Sequence, residues 1–163
     1  LRSWHKANPS IELHIFWDKK EALPEVKVDS RLSFHQLNDT LFVRYMAGAK
    51  AYATTAGFES VCEAMYLGKP VLMVPTHIEQ ACNAFDAVHA GAGVIADLFD
   101  LNALLQLSQT HQPDLAFSHW VKQADWLILR EFRPDLLMEE TYSSLWHRLS
   151  TRWICRLGKS LSI

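Results

Sequence analysis

Short continuous apolar runs alternate along this chain with longer stretches whose apolar positions recur at helical spacing. The runs predict strands at Ile11–Trp17, at Val26–Val28, ending at Tyr52-Ala53-Thr54, at Val71–Val74 and at Val94–Ala96. Val71–Val74 is apolar throughout, the pattern of a strand buried on both faces of a parallel sheet. Between them, helical spacing predicts the end of a helix within Leu1–Pro9 and helices over Phe34–Ala49, Phe58–Tyr66 and Gln80–Ala90. Leu37, Leu41, Tyr45 and Met46 would face inward on the second of these, and Asp39 or Thr40 could instead mark its start. Gly68-Lys69-Pro70 and Gly91-Ala92-Gly93 are stop signals, since glycine accepts the left-handed backbone that ends a helix.

Further along, Asp100 caps a helix from Leu101 to about Gln109, His111-Gln112-Pro113 breaks it, and Asp114–Arg130 and Leu136–Leu149 read as helices separated by Pro134. The expected fold is α/β: a Rossmann-like parallel sheet with helices on both faces over residues 1–110, and a C-terminal helical extension over residues 111–163 packed on it. The last stretch, Thr151–Ile163, carries Arg152, Arg156 and Lys159 without an acid, and Trp153, Ile154, Leu157 and Leu161 share one side. It fits a terminal helix packed on the body, a frayed tail or a basic amphipathic segment.

Composition narrows the classes. A 163-residue chain with 49% hydrophobic residues can bury one core, and its net charge of −2 gives no electrostatic pull toward nucleic acid. Cys62, Cys82 and Cys155 are odd in number and widely spaced, which suits neither a disulfide framework nor a metal cluster and points to a reducing cytoplasm. The eight histidines are scattered, and neither a leader-like segment nor a membrane-length apolar run occurs.

Candidate chemistry lies in Ala53–Ala84, where strand, polar loop and helix follow one another twice. Both loops fall at the carboxyl ends of strands, the edge at which open α/β sheets bind ligands. Thr54–Ser60 sets a glycine turn before a helix, where backbone N–H groups and the helix dipole suit a phosphate. Gly57 allows close backbone approach, and Thr55 and Ser60 add hydroxyls; the same residues would serve equally as an ordinary helix cap. Glu63 can reach vicinal hydroxyls or sit in solvent. The Glu79-Gln80 pair, an acid beside an amide, suits sugar hydroxyls or a plain helix start, and His77 is the near-neutral titrating group of that loop.

Taken in register, T-x-x-G-x-x-S-x-x-E, then G-x-P-x-x-x-x-P-x-x-x-E-Q, then N-A resembles the nucleotide-sugar signature in the C-terminal domain of GT-B glycosyltransferases, particularly glycosyltransferase family 28 and the UDP-glycosyltransferases. The resemblance covers about residues 32 to 95. It implies that Thr55, Gly57, Phe58, Glu59 and Ser60 hold the donor diphosphate and that Glu63 holds the ribose. It also implies that Glu79 and Gln80, with His77 beside them, contact the transferred sugar, and that Phe34–Leu37 lie near the nucleobase. Many relatives carry His where this chain has Thr55, so the turn brings no cation to a diphosphate.

The same resemblance implies no cofactor and no required metal, the nucleotide-diphosphate sugar being a substrate. The acceptor, and the catalytic base, would belong to an N-terminal domain or partner subunit, with a membrane surface reached only through the acceptor. The expectation is that the chain lacks the first strand of its domain and is inactive alone. Two rival readings remain: a UDP-sugar epimerase of the same fold, and a non-catalytic partner-binding module using Trp120, Trp126, Trp146 and Trp153.

Overall fold

A computed structural model of the chain describes residues 1–132. The expected helix at Leu136–Leu149 and the basic segment Thr151–Ile163 lie outside the described residues. The chain forms two compact units, the first Leu1–Gly48 and the second beginning at Ala49.

The first unit holds α1 (Arg2–Ala7), β1 (Leu13–Trp17), β2 (Glu25–Lys27), β3 (Leu32–Gln36) and α2 (Asp39–Gly48). Its sheet has the order β1-β3-β2, with β1 parallel and β2 antiparallel to the central β3. Here the structure corrects the expected helix over Phe34–Ala49. Leu32–Gln36 is a strand, and the helix starts only at Asp39. Asn38 rather than Asp39 or Thr40 serves its start, its side-chain oxygen accepting the Leu41 N–H at 2.9 Å. Leu37, expected to face inward, is 61% exposed, whereas Met46 is buried as expected.

The reason is a period of two masked by polar residues. Leu32 and Phe34 face one side of β3, where Phe34 meets Trp17. Ser33 and His35 face the other and are also buried. His35 hydrogen-bonds His14 on β1 across a 2.9 Å gap and lies against Phe16 and Tyr45. The pairing is one-sided: His35 Nε2 meets His14, while the buried Nδ1 has no hydrogen-bond partner among the described residues, a cost the ring stacking must offset.

The second unit contains β4 (Tyr52–Thr54), α3 (Phe58–Tyr66), β5 (Val71–Met73), α4 (Ile78–His89), β6 (Gly93–Ile95), α5 (Leu101–Thr110) and α6 (Leu115–Phe132). Its sheet is wholly parallel in the order β4-β5-β6. Val71, Leu72 and Met73 are each 0% exposed, so the central strand is covered on both faces as its apolar run requires. This is the α/β architecture with a parallel, Rossmann-like sheet expected from the alternation of elements. α3 packs against α4 and α6.

Two helix ends fix the geometry of the connections. After α3, the Gly68 N–H donates to the Met65 carbonyl and the Lys69 N–H to that of Ala64; after α4, Gly91 and Ala92 donate in the same way to Val88 and Ala87. Gly68 and Gly91 have φ of +65° and +76°, the left-handed conformation this double closure needs. Each helix is thereby turned back toward the start of the next strand.

Candidate functional site

Because β4 and β5 are parallel and Thr54 lies opposite Met73, the loops that follow them emerge from the same edge of the sheet. The first loop, Thr55-Ala56-Gly57, leads directly into α3. Gly57 is the N-cap residue, with extended backbone (φ −62°, ψ 135°), and no side chain caps the helix. The left-handed conformation falls instead on Ala56 (φ 68°), whose side chain is fully buried. A Cβ built on Gly57 would meet nothing closer than the Ser60 hydroxyl at 3.6 Å. Glycine there answers no packing demand of the described fold, and its open side leaves the backbone approachable.

The residues expected at a diphosphate therefore stand together at the first turn of α3. Phe58 and Glu59 are exposed, and Thr55, Gly57 and Ser60 are partly so. The Ser60 hydroxyl donates to the Gly57 carbonyl at 3.1 Å and is thereby committed within the turn. Tyr52, at the start of β4, lies beneath this turn. Burial pushes its phenol above the usual tyrosine value, against the Ser60 and Thr54 hydroxyls that hydrogen-bond it, and the Glu63 charge adds to the rise. Glu63 is half-buried one turn further along α3, and with burial it also raises the Cys62 thiol. Three carboxylates, Glu59, Glu63 and Glu79, and no lysine or arginine are among the candidate residues. Backbone N–H groups and the helix dipole are therefore the positive groups these candidates offer.

The second loop, Val74-Pro75-Thr76, leads into α4 with His77 as its N-cap residue; the imidazole makes no capping bond and is exposed. Glu79 is exposed beside it. Gln80 is the link between the loops. Its carboxamide oxygen accepts from the Thr76 N–H (2.9 Å) and hydroxyl (2.8 Å), and its amide donates to the Thr55 hydroxyl at 3.2 Å. Asn83, one turn on, donates to the Ala56 carbonyl at 3.2 Å. Of the nine candidate residues, Thr55 and Gln80 are thus joined directly, Gly57, Phe58, Glu59 and Ser60 share one turn with Glu63 a turn further along α3, and His77 and Glu79 stand at the start of α4 without a bond to the first loop.

Sequence reasoning gave no role to Asn83, Thr76 or Tyr52. Asn83 stood in the motif as part of N-A, and its spacing of three from Gln80, one helical turn, was the available signal. Large apolar side chains complete the edge: Phe58, Ile78 and Leu98, one after each strand, are 65%, 80% and 75% exposed. Among the described residues no three His, Cys, Asp or Glu gather as a metal site, and no helix is long and apolar enough to cross a membrane.

A family model described as glycosyl transferase family 1 matches residues 7–108, which span both units and every candidate residue. Neither a curated protein nor a solved structure matches the chain.

Proposed function

Starting from the fact that this chain belongs to glycosyl transferase family 1, we propose that its second unit holds the nucleotide-diphosphate sugar from which a glycosyl group is transferred. The carrying observation is the pair of adjacent loops at one sheet edge, bound to each other through Gln80 and Thr55, with the uncapped first turn of α3 between them. In such a transfer an acceptor hydroxyl attacks the anomeric carbon, the bond from that carbon to the diphosphate oxygen breaks, and the nucleoside diphosphate leaves with the electron pair. The N–H groups of Gly57 to Ser60 and the positive end of the helix dipole stabilise the charge that grows on the leaving phosphate. Glu63 takes the ribose hydroxyls. Glu79, the second amide hydrogen of Gln80 and His77 face the transferred hexose.

UDP is the first candidate nucleotide, following the resemblance of the motif to UDP-glycosyltransferases. The acceptor and the base that deprotonates it come from another domain or a partner subunit, for which the exposed Phe58, Ile78 and Leu98 form an apolar landing edge. Titration calorimetry with UDP, a UDP-hexose, GDP and TDP tests the reading, on this chain and on a form joined to its acceptor domain. Binding of a nucleoside diphosphate in preference to the free nucleoside is expected. No binding by either form would sink it. Product analysis separates a transferase from an epimerase, since an epimerase converts the nucleotide sugar without any acceptor.

A further inference from the structure

The two loops are held to each other by one helix. Gln80 and Asn83 are a single turn apart on α4 and reach consecutive residues of the other loop, Thr55 and Ala56. Ala56 is where this matters most. It is the non-glycine residue with positive φ among those described, in a conformation that L-residues avoid because Cβ crowds the following carbonyl. Two side chains hold it there: the Thr54 hydroxyl accepts its N–H at 3.3 Å, and Asn83 donates to its carbonyl. The peptide plane so fixed is the one that enters Gly57, and its orientation aims the amides of the following turn.

We infer that Asn83, seconded by Gln80, is a positioning residue for the phosphate turn: it acts on the diphosphate end of the donor through Ala56 without touching the ligand. The inference rests on the donor-binding reading for its ligand, and on the geometry alone for its action on Ala56. It makes a prediction opposite to that of a direct sugar contact. A residue on the sugar affects only the nucleotide sugar. A residue that shapes the phosphate turn affects UDP and UDP-sugar by the same factor.

The experiment uses the whole chain with Asn83→Ala, Asn83→Asp and Asn83→Ala combined with Ala56→Gly. NMR chemical shifts and couplings of residue 56 report its backbone conformation without ligand, and calorimetry reports UDP and UDP-glucose affinity. Asn83→Ala and Asn83→Asp are expected to move Ala56 out of the left-handed region. Both should weaken the two ligands alike, by roughly three- to tenfold for one lost hydrogen bond. Gly at 56 reaches positive φ without the Cβ penalty, so the double variant should recover most of the UDP affinity. Loss confined to UDP-glucose, an unmoved Ala56, or no recovery by Ala56→Gly would each overturn the inference. Should neither the wild-type chain nor the form joined to its acceptor domain bind a nucleotide, the donor reading fails, and the conformation of Ala56 in the Asn83 variants alone decides the positioning role. A variant that does not fold leaves the Asp variant and the double variant as independent measurements.

Discussion

Gly57 meets no close packing in the described fold, and under the proposed donor reading its importance lies with the ligand. Its backbone is extended, and a Cβ there finds ordinary contact distance. Gly57→Val should therefore cost only about 1 kcal/mol, as a poorer helix N-cap, while weakening UDP at least roughly tenfold by covering the turn. Thermal melts and calorimetry check this together, and unchanged affinity refutes the phosphate role. Glu63→Gln should weaken uridine diphosphate more than its 2′,3′-dideoxy analogue, by roughly tenfold if the carboxylate holds the diol; equal losses exclude that contact. In the first unit, His35 supplies a pH signature. Burial lowers its pKa, and His14 and Lys27 push the same way against Glu25. The unfolded chain takes up this proton near the ordinary histidine value of about 6.5, while the folded ring stays neutral to lower pH. Below that value the unfolded state binds more protons, so stability falls as pH drops. Urea midpoints between about pH 7.5 and 5.5 should decline, and His35→Gln should flatten the decline.

At the scale of elements, the periodicities that survived were those with one consistent driving force. Phe58–Tyr66 and Tyr52–Thr54 fall where the sequence predicts them, and Asp100 caps α5 through bonds to the N–H groups of Asn102 and Ala103. β3 was illegible because Ser33 and His35 look like surface residues until a partner strand supplies His14. Phe34, Leu37, Leu41 and Tyr45 meanwhile imitate a helical stripe. Close approach of strands also made one glycine critical without leaving a sequence signal. A Cβ on Gly93 would overlap the Val71 backbone, carbonyl included, on the neighbouring strand. Gly93→Ala should cost at least about 2 kcal/mol and loosen β6, seen as faster amide exchange at Val94 and Ile95. A variant as stable as the parent would contradict this packing.

For the molecule as a whole, two compact units each carry their own sheet, and the family match runs through both. Ligand binding should nevertheless be felt most at the loops of the second. At about a hundred times its dissociation constant UDP should stabilise the folded chain by about 2.7 kcal/mol through mass action. The accompanying slowing of amide exchange should centre on residues 55–60 and 76–80. Protection spread evenly over the chain, or none, would count against a site at this sheet edge.

By itself the sequence determined the alternation of strand and helix in the second unit, the glycine ends of α3 and α4, and the register of the two loops. These depend on local backbone freedom and on side-chain periodicity, which neighbouring residues specify. Tertiary structure alone decided that β3 is a strand, that Ala56 rather than Gly57 takes the left-handed backbone, and that Gln80 and Asn83 reach from one loop to the other. Each depends on a partner at least nineteen positions away in the chain, His14 for His35 and Asn83 for Ala56 among them. A contact of that kind has no trace in local pattern, because it exists only once the strands have paired.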